Sequence, residues 1–210
     1  MNGKAMTVAR YALLNTRCRR GQVLFVGSSL MEQFPIEKLT QELELPFEVY
    51  NRGVSGYTIP ELDATLETCV LDLAPRRVFI NIGTNDLTVP GSTVEGVMEA
   101  YEALLRRIMR ALPQAQILLM AYYPVNEEAA VGWAVEALRV RNNDKLRRAN
   151  EAVARLAEKL GVRSIDVNDA LKDEQGRLKA EYTVEGMHIR EEGYRAIMPA
   201  LLPYLREPLP

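Results

Sequence analysis

Five short runs of aliphatic and β-branched residues recur along the chain, at 22–26, 47–51, 77–81, 116–122 and 162–167. Each is compact enough to predict a buried strand rather than a helix. The segments between them change period. Leu146, Ala149, Val153, Leu156 and Leu160 follow at steps of three and four, and Val94, Val97, Met98, Tyr101, Leu105 and Ile108 recur with the same helical period. Two start signals sharpen the reading. Thr58-Ile59-Pro60-Glu61 and Ser92-Thr93-Val94-Glu95 both fit the capping box, in which a hydroxyl and a carboxylate three residues on satisfy orphan backbone amides. Helices are therefore expected to start near Ile59 and Thr93. Strand and helix in alternation imply an α/β fold: a parallel sheet covered by helices on both sides through right-handed crossovers. With no internal repeat and no Pro/Gly/Ser linker, residues 1–210 read as one domain.

In open sheets of this kind ligands sit outside the carboxyl ends of the strands, so the turns there are where chemistry is sought. After the first run comes Val26-Gly27-Ser28-Ser29-Leu30, a tight turn into a helix in which either serine suits an N-cap. After the second, Asn51-Arg52-Gly53-Val54-Ser55-Gly56-Tyr57 offers two glycines whose amides can approach a ligand closely. The third turn, Gly83-Thr84-Asn85-Asp86, sets a carboxamide beside a carboxylate, a pair that in turns often bonds local backbone. Before the last helical segment, Glu185-Gly186-Met187-His188 puts a carboxylate three residues ahead of the sole histidine. Together they supply a hydroxyl, flexible amides, an uncharged side-chain donor and a base with an orienting acid, which is the set that acyl transfer needs.

Composition narrows the choice by exclusion. Lys and Arg number 26 against 28 Asp and Glu, so the chain lacks the basic excess of a nucleic-acid surface, and no nucleic-acid partner is expected. The longest uncharged stretch, 111–126, contains Pro113, Gln114 and Gln116, and no membrane span is expected. The apolar patch from Tyr11 to Leu14 is too brief for a signal-peptide core, which gives a cytoplasmic expectation. Cys18 and Cys69 read as reduced thiols, and one imidazole without a cysteine pair cannot assemble a common zinc site. No loop matches a phosphate cradle or a dinucleotide fingerprint, so no cofactor is expected and a flavodoxin-like nucleotide binder is disfavoured.

The four turns, in order, resemble the four sequence blocks of the SGNH hydrolases, also called GDSL-type esterases and lipases. The block Gly-Asp-Ser-Leu is similar to Gly27-Ser28-Ser29-Leu30 and implies Ser29 as nucleophile. The second block matches residues 51–56 and implies the amide of Gly56, beside that of Ser29, as an oxyanion donor; the third, Gly-x-Asn-Asp, implies Asn85. The fourth, Asp-x-x-His, implies His188 as base and Glu185 as its orienting acid. The resemblance runs from about residue 22 to residue 198. It implies a three-layer α/β/α sandwich around a five-stranded parallel sheet, flavodoxin-like in outline, and an acylhydrolase that cleaves carboxylic esters through an acyl-serine without a cofactor.

Two positions depart from the family pattern. Ser28 stands where an Asp is usual, and Glu185 adds one methylene to the acid that orients His188. Both substitutions motivate the alternative of a non-catalytic binding module on the same fold. The segment 125–142 matches no block. Asp86 is assigned to holding its loop, because a carboxylate facing an oxyanion would oppose catalysis. For the walls of a substrate pocket the expected residues are Met31, Phe34, Tyr57, Leu87, Tyr123, Trp133 and Met187, all near strand ends or in the unmatched segment. The absence of an evident lid points to an open site and a short acyl group, with a small-molecule ester as the partner.

Overall fold

Strands β1 (Val23–Gly27), β2 (Val49–Asn51), β3 (Arg77–Asn81), β4 (Gln116–Met120) and β5 (Arg163–Ile165) form one sheet of order β2-β1-β3-β4-β5 in the computed structural model, which describes residues 3–210. Every pairing is parallel, with Val23 opposite Val49 and Arg77, Arg77 opposite Gln116, and Leu118 opposite Arg163. The five expected strands are all present, and the outer ones are shorter than their apolar runs. Residues 47–48 precede the pairing of β2, and residues 121–122 and 166–167 leave the ladder at its carboxyl edge.

Side chains alternate across the sheet, so one strand feeds two cores. Leu24, Val26, Val78, Ile80, Ile117 and Leu119 face helices α4 (Ile59–Ala64), α5 (Leu66–Cys69), α6 (Val94–Ala111) and α8 (Asn143–Leu160). Val23, Phe25, Phe79, Leu118 and Met120 face α2 (Ser29–Glu32), α3 (Ile36–Gln41) and α9 (Glu191–Arg206). This is the three-layer α/β/α sandwich. Helix α1 (Gly3–Asn15) adds to the first core through Tyr11, whose hydroxyl donates to the carbonyl of Gly53 at 2.5 Å. Among the described residues no helix is long and apolar enough to cross a membrane.

The helix starts follow their local chemistry. Thr58 and Glu61 form the expected capping box, and the Glu61 carboxylate accepts from the Thr58 amide at 2.9 Å. The second expected box is displaced by one residue: Thr93, not Ser92, caps α6, and its hydroxyl accepts from the Gly96 amide at 3.1 Å. Gly96 then occupies the position where a box needs an acid, so the cap is one-sided. Ser92 Oγ is buried without a hydrogen-bond partner among the described residues.

One charged side chain lies inside the sheet's amino-terminal edge. Arg77 is fully buried and donates to the carbonyls of Tyr204, Glu207 and Pro208 at 2.8–3.0 Å, and to Gln116 Oε1 at 2.6 Å. The three carbonyls belong to the last turn of α9 and to the residues just after it, where a helix leaves its acceptors without intrahelical partners. Burial lowers the Arg77 pKa from its usual value, the mark of a cation held by dipoles rather than by water. Arg77→Met is expected to cost about 3 kcal/mol in denaturant unfolding, because it strands several buried acceptors at once. A loss within experimental error would show that the α9 terminus is held by packing alone.

Candidate active site

The first turn is made by exclusion of side chains. A Cβ on Gly27 would lie 2.0 Å from the carbonyl oxygen of Asn81 on the neighbouring strand, and one on Gly53 would lie 2.2 Å from the amide of Glu32. With both glycines in place the chain leaves β1 over the end of β3 and turns at once into α2. Ser28 takes the cap position, but its buried hydroxyl makes no capping bond. Ser29 is the first helical residue, and its Oγ lies 2.9 Å from Nε2 of His188 across 159 residues of sequence.

The histidine is delivered by a turn with its own internal frame. Gly186 adopts φ 99°, a left-handed conformation, and a Cβ there would meet the Asn126 carbonyl at 2.6 Å. The Thr183 hydroxyl accepts from the Gly186 amide at 2.8 Å and donates to the His188 carbonyl at 3.1 Å. Arg190 Nε closes the base of the turn on the Thr183 carbonyl at 2.7 Å. Within this frame Glu185 Oε1 reaches His188 Nδ1 at 2.6 Å and also accepts from the His188 amide at 3.3 Å. The longer acid therefore spans the gap. A carboxylate on Nδ1 fixes the ring so that Nε2 faces the Ser29 hydroxyl, an arrangement in which that hydroxyl can lose its proton to the ring.

Gly56, at φ 74°, and Asn85 line the same cavity as the serine. The Gly56 carbonyl accepts from Lys4 Nζ at 2.8 Å, and Lys4 also pairs with Glu61 at 2.6 Å, so α1 clamps the loop that carries Gly56. Glu32 Oε2 holds the preceding Ser55 amide at 2.7 Å. Asn85 Nδ2 donates to the Tyr57 carbonyl at 2.9 Å, while its Oδ1 accepts from Arg141 Nη1 at 3.4 Å. A flipped amide would set oxygen against oxygen and donor against donor, so these two partners fix its orientation and leave one N–H of the amide uncommitted. Asp86 turns away from the serine. Both its carboxylate oxygens accept from the Ile59 amide at 3.1 Å, at the start of α4, and burial raises its pKa.

A cavity of about 290 Å³ opens at this point, lined by Ser29, Gln33, Ser55, Gly56, Asn85, Thr88, Trp133, Ala137, Arg141, Met187 and His188. Of the wall residues expected from sequence, Trp133 and Met187 line it. Met31, Phe34, Tyr57, Leu87 and Tyr123 do not: all five are buried in the two apolar cores, where their large side chains gain more from packing than from a wet wall. The replacement wall comes from the unmatched segment. Helix α7 (Ala134–Val140) presents Trp133, Ala137 and Arg141 at steps of four on one face, and the Trp133 ring centroid lies 5.8 Å from that of His188. That spacing was visible in the chain, but its mixed chemistry does not read as an apolar stripe.

The GDSL-like lipase/acylhydrolase family model matches residues 27–196, which takes in all four turns. The chain belongs to this family. Among curated relatives of the acylhydrolase, the platelet-activating factor acetylhydrolase IB subunit alpha1 of Bos taurus is 24% identical over 95% of this chain and 82% of its own length. A Streptococcus pneumonia protein provisionally described as a platelet activating factor superposes with TM-score 0.83 and 31% identity, over 96% of this chain and 92% of that one. An acetylxylan esterase of Geobacillus stearothermophilus, solved as a catalytic mutant, shares the fold at TM-score 0.64 and 20% identity, over 90% and 95% of the two chains. Lys4 and the rest of α1 lie outside the matched residues of this GDSL-like acylhydrolase, so the clamp on Gly56 is an addition to what the family blocks describe.

Trp133 is the only tryptophan of the acylhydrolase, and its ring neighbours the only imidazole. An imidazole at contact range quenches indole emission, so His188→Ala is expected to raise the tryptophan fluorescence intensity at constant pH. An unchanged intensity would place the two rings apart in solution.

Proposed function

We propose that this acylhydrolase is a serine hydrolase that cleaves short-chain carboxylic esters through an acyl-serine intermediate. The observation that carries the reading is the unbroken hydrogen-bonded series Ser29–His188–Glu185, at 2.9 Å and 2.6 Å, opening into a cavity shared with Gly56 and Asn85. A serine hydroxyl is a weak nucleophile at neutral pH. His188 takes its proton as the oxygen attacks the ester carbonyl and returns one to the leaving alcohol, while Glu185 holds the ring and stabilises the imidazolium. The charge that develops on the carbonyl oxygen is met by the amides of Ser29 and Gly56 and the uncommitted N–H of Asn85, donors already fixed by their other bonds. Water then attacks the acyl-serine by the same sequence in reverse.

The short acyl group rests on two supports. The cavity lies at the small end of the range for ligand sites. The relatives named as acetylhydrolase and acetylxylan esterase both carry an acetyl group in the names of their substrates or activities. A small acyl chain fits both.

Labelling with a fluorophosphonate, which reacts with an activated serine, is expected to give one adduct, mapped to Ser29 by peptide mass analysis and lost in His188→Ala. An adduct on Ser28 or Ser55 would overturn the assignment, and no adduct together with no ester turnover would leave a binding module. Glu185 provides a second test. Glu185→Gln and Glu185→Ala are each expected to lower kcat by about 10²–10⁴ with circular dichroism unchanged. Glu185→Asp should recover only part of this, because the turn is pinned by Gly186 and Thr183 and the shorter acid falls short of Nδ1. Nearly full activity in Glu185→Ala, with His188→Ala inactive, would make the site a Ser–His dyad.

A further inference from the structure

Arg141 is the one permanently charged side chain lining the cavity, and it is only 3% exposed. Its guanidinium carries five N–H donors. Among the described residues its side chain makes one hydrogen bond, the 3.4 Å contact with Asn85 Oδ1, and no ion pair within 4 Å. Glu185 is the acid whose charge acts on it, but the Glu185 oxygen Oε1 is engaged by the imidazole at 2.6 Å. Burial pushes the Arg141 pKa down to about 10, which leaves the group cationic at neutral pH. A buried charge is costly unless something pairs with it, and holding the Asn85 amide in place needs one donor, not five. The residue that carries the remaining donors lines the same cavity of about 290 Å³ as the serine, so a group bound there is within a few bonds of an ester at Ser29.

We infer that Arg141 is a specificity residue whose guanidinium binds an anionic group, a carboxylate or a phosphate, carried by the substrate within a few bonds of the scissile ester. The inference rests on the cavity being an esterase site. The planar fork of the guanidinium matches either oxyanion in a bidentate fashion. The anion can belong to the acyl half or to the alcohol half of the ester, and the two are separated by choice of substrate.

The test compares mono-4-nitrophenyl succinate, with the anion in the acyl half, and 2-acetoxyethyl phosphate, with it in the alcohol half, against the neutral 4-nitrophenyl butyrate and 2-methoxyethyl acetate. The wild-type protein is expected to prefer one anionic ester over its neutral counterpart. Arg141→Gln should lower kcat/KM for that ester about 10–10²-fold more than for the neutral one, mainly through KM, with circular dichroism intact. Arg141→Lys, which keeps the charge but not the fork, should recover part of the ratio. Arg139→Gln, an exposed position on α7 paired with Glu136, should leave the ratio as it is. Equal losses on charged and neutral esters would reduce Arg141 to a support for Asn85 and overturn the inference, as would a wild type that prefers neither anion. Calorimetry on Ser29→Ala with succinate and with inorganic phosphate needs no turnover. Binding of one that is lost in Ser29→Ala/Arg141→Gln supports the inference even where the serine hydrolase reading fails, and no binding of either overturns it where esters are still cleaved by the wild type.

Discussion

Everything at the working edge of this molecule depends on backbone passing where no side chain fits. Neighbouring parallel strands run less than 5 Å apart, so a chain that turns sharply out of β1 must cross the last carbonyl of β3. Gly27 crosses Asn81 and Gly53 crosses Glu32, each at a distance that a Cβ would violate. Were either turn relaxed by even a small side chain, the first residue of α2 would move, and with it Ser29. The topology does the rest. All five strands point the same way, so the turns carrying residues 27–30, 51–56 and 83–86 emerge together at one edge, and the segment that follows β5 brings the turn at 185–188 beside them before α9 begins.

That logic explains which features can be read from the chain before any coordinates exist. Buried parallel strands announce themselves as unbroken apolar runs, and the turns do so as glycines beside small polar residues, because both patterns are imposed by the backbone. Strand ends are less visible. The run 162–167 carries Arg163, Ser164 and Asp166 among its apolar residues, and only residues 163–165 pair. The pocket walls are the least visible of all. Leu87 and Tyr123 follow closely on the ends of β3 and β4 and turn into the cores, whereas Met187, far beyond the end of β5, lines the cavity; which way a loop side chain turns is decided by what is left unfilled beneath it. The wall on α7 inverts the usual amphipathic rule. Trp133, Ala137 and Arg141 share a face because that face borders a wet cavity, whereas periodicity arguments look for an apolar stripe bordering a core.

The turn that carries Glu185 and the segment that carries α7 are parts of one arrangement. The amide of Asn126 donates to the Gly186 carbonyl at 2.7 Å and that of Val131 to the Glu185 carbonyl at 3.3 Å. Thus the strand-like start of the unmatched segment is bonded to the very turn that holds the acid and the histidine. The same few backbone contacts support both the turn that holds the longer carboxylate on the ring and the wall beside it.

The charges follow the same geometry. On the proposed chemistry two charges appear together during attack, a cation on His188 and an anion on the carbonyl oxygen. Glu185 lies behind the cation and Arg141 lies beside Asn85, next to the anion, so each fixed charge stabilises the developing charge nearer to it. Each also opposes the other one. On the proposed binding, an anionic group at the guanidinium lessens both effects of Arg141, its help to the oxyanion and its opposition to the imidazolium. The Asn85 amide, still held by Tyr57, keeps its place, so the oxyanion then rests on the uncharged donors. The guanidinium's contribution is in this way moved from the chemical step to the binding of the substrate, the step in which a specificity residue acts.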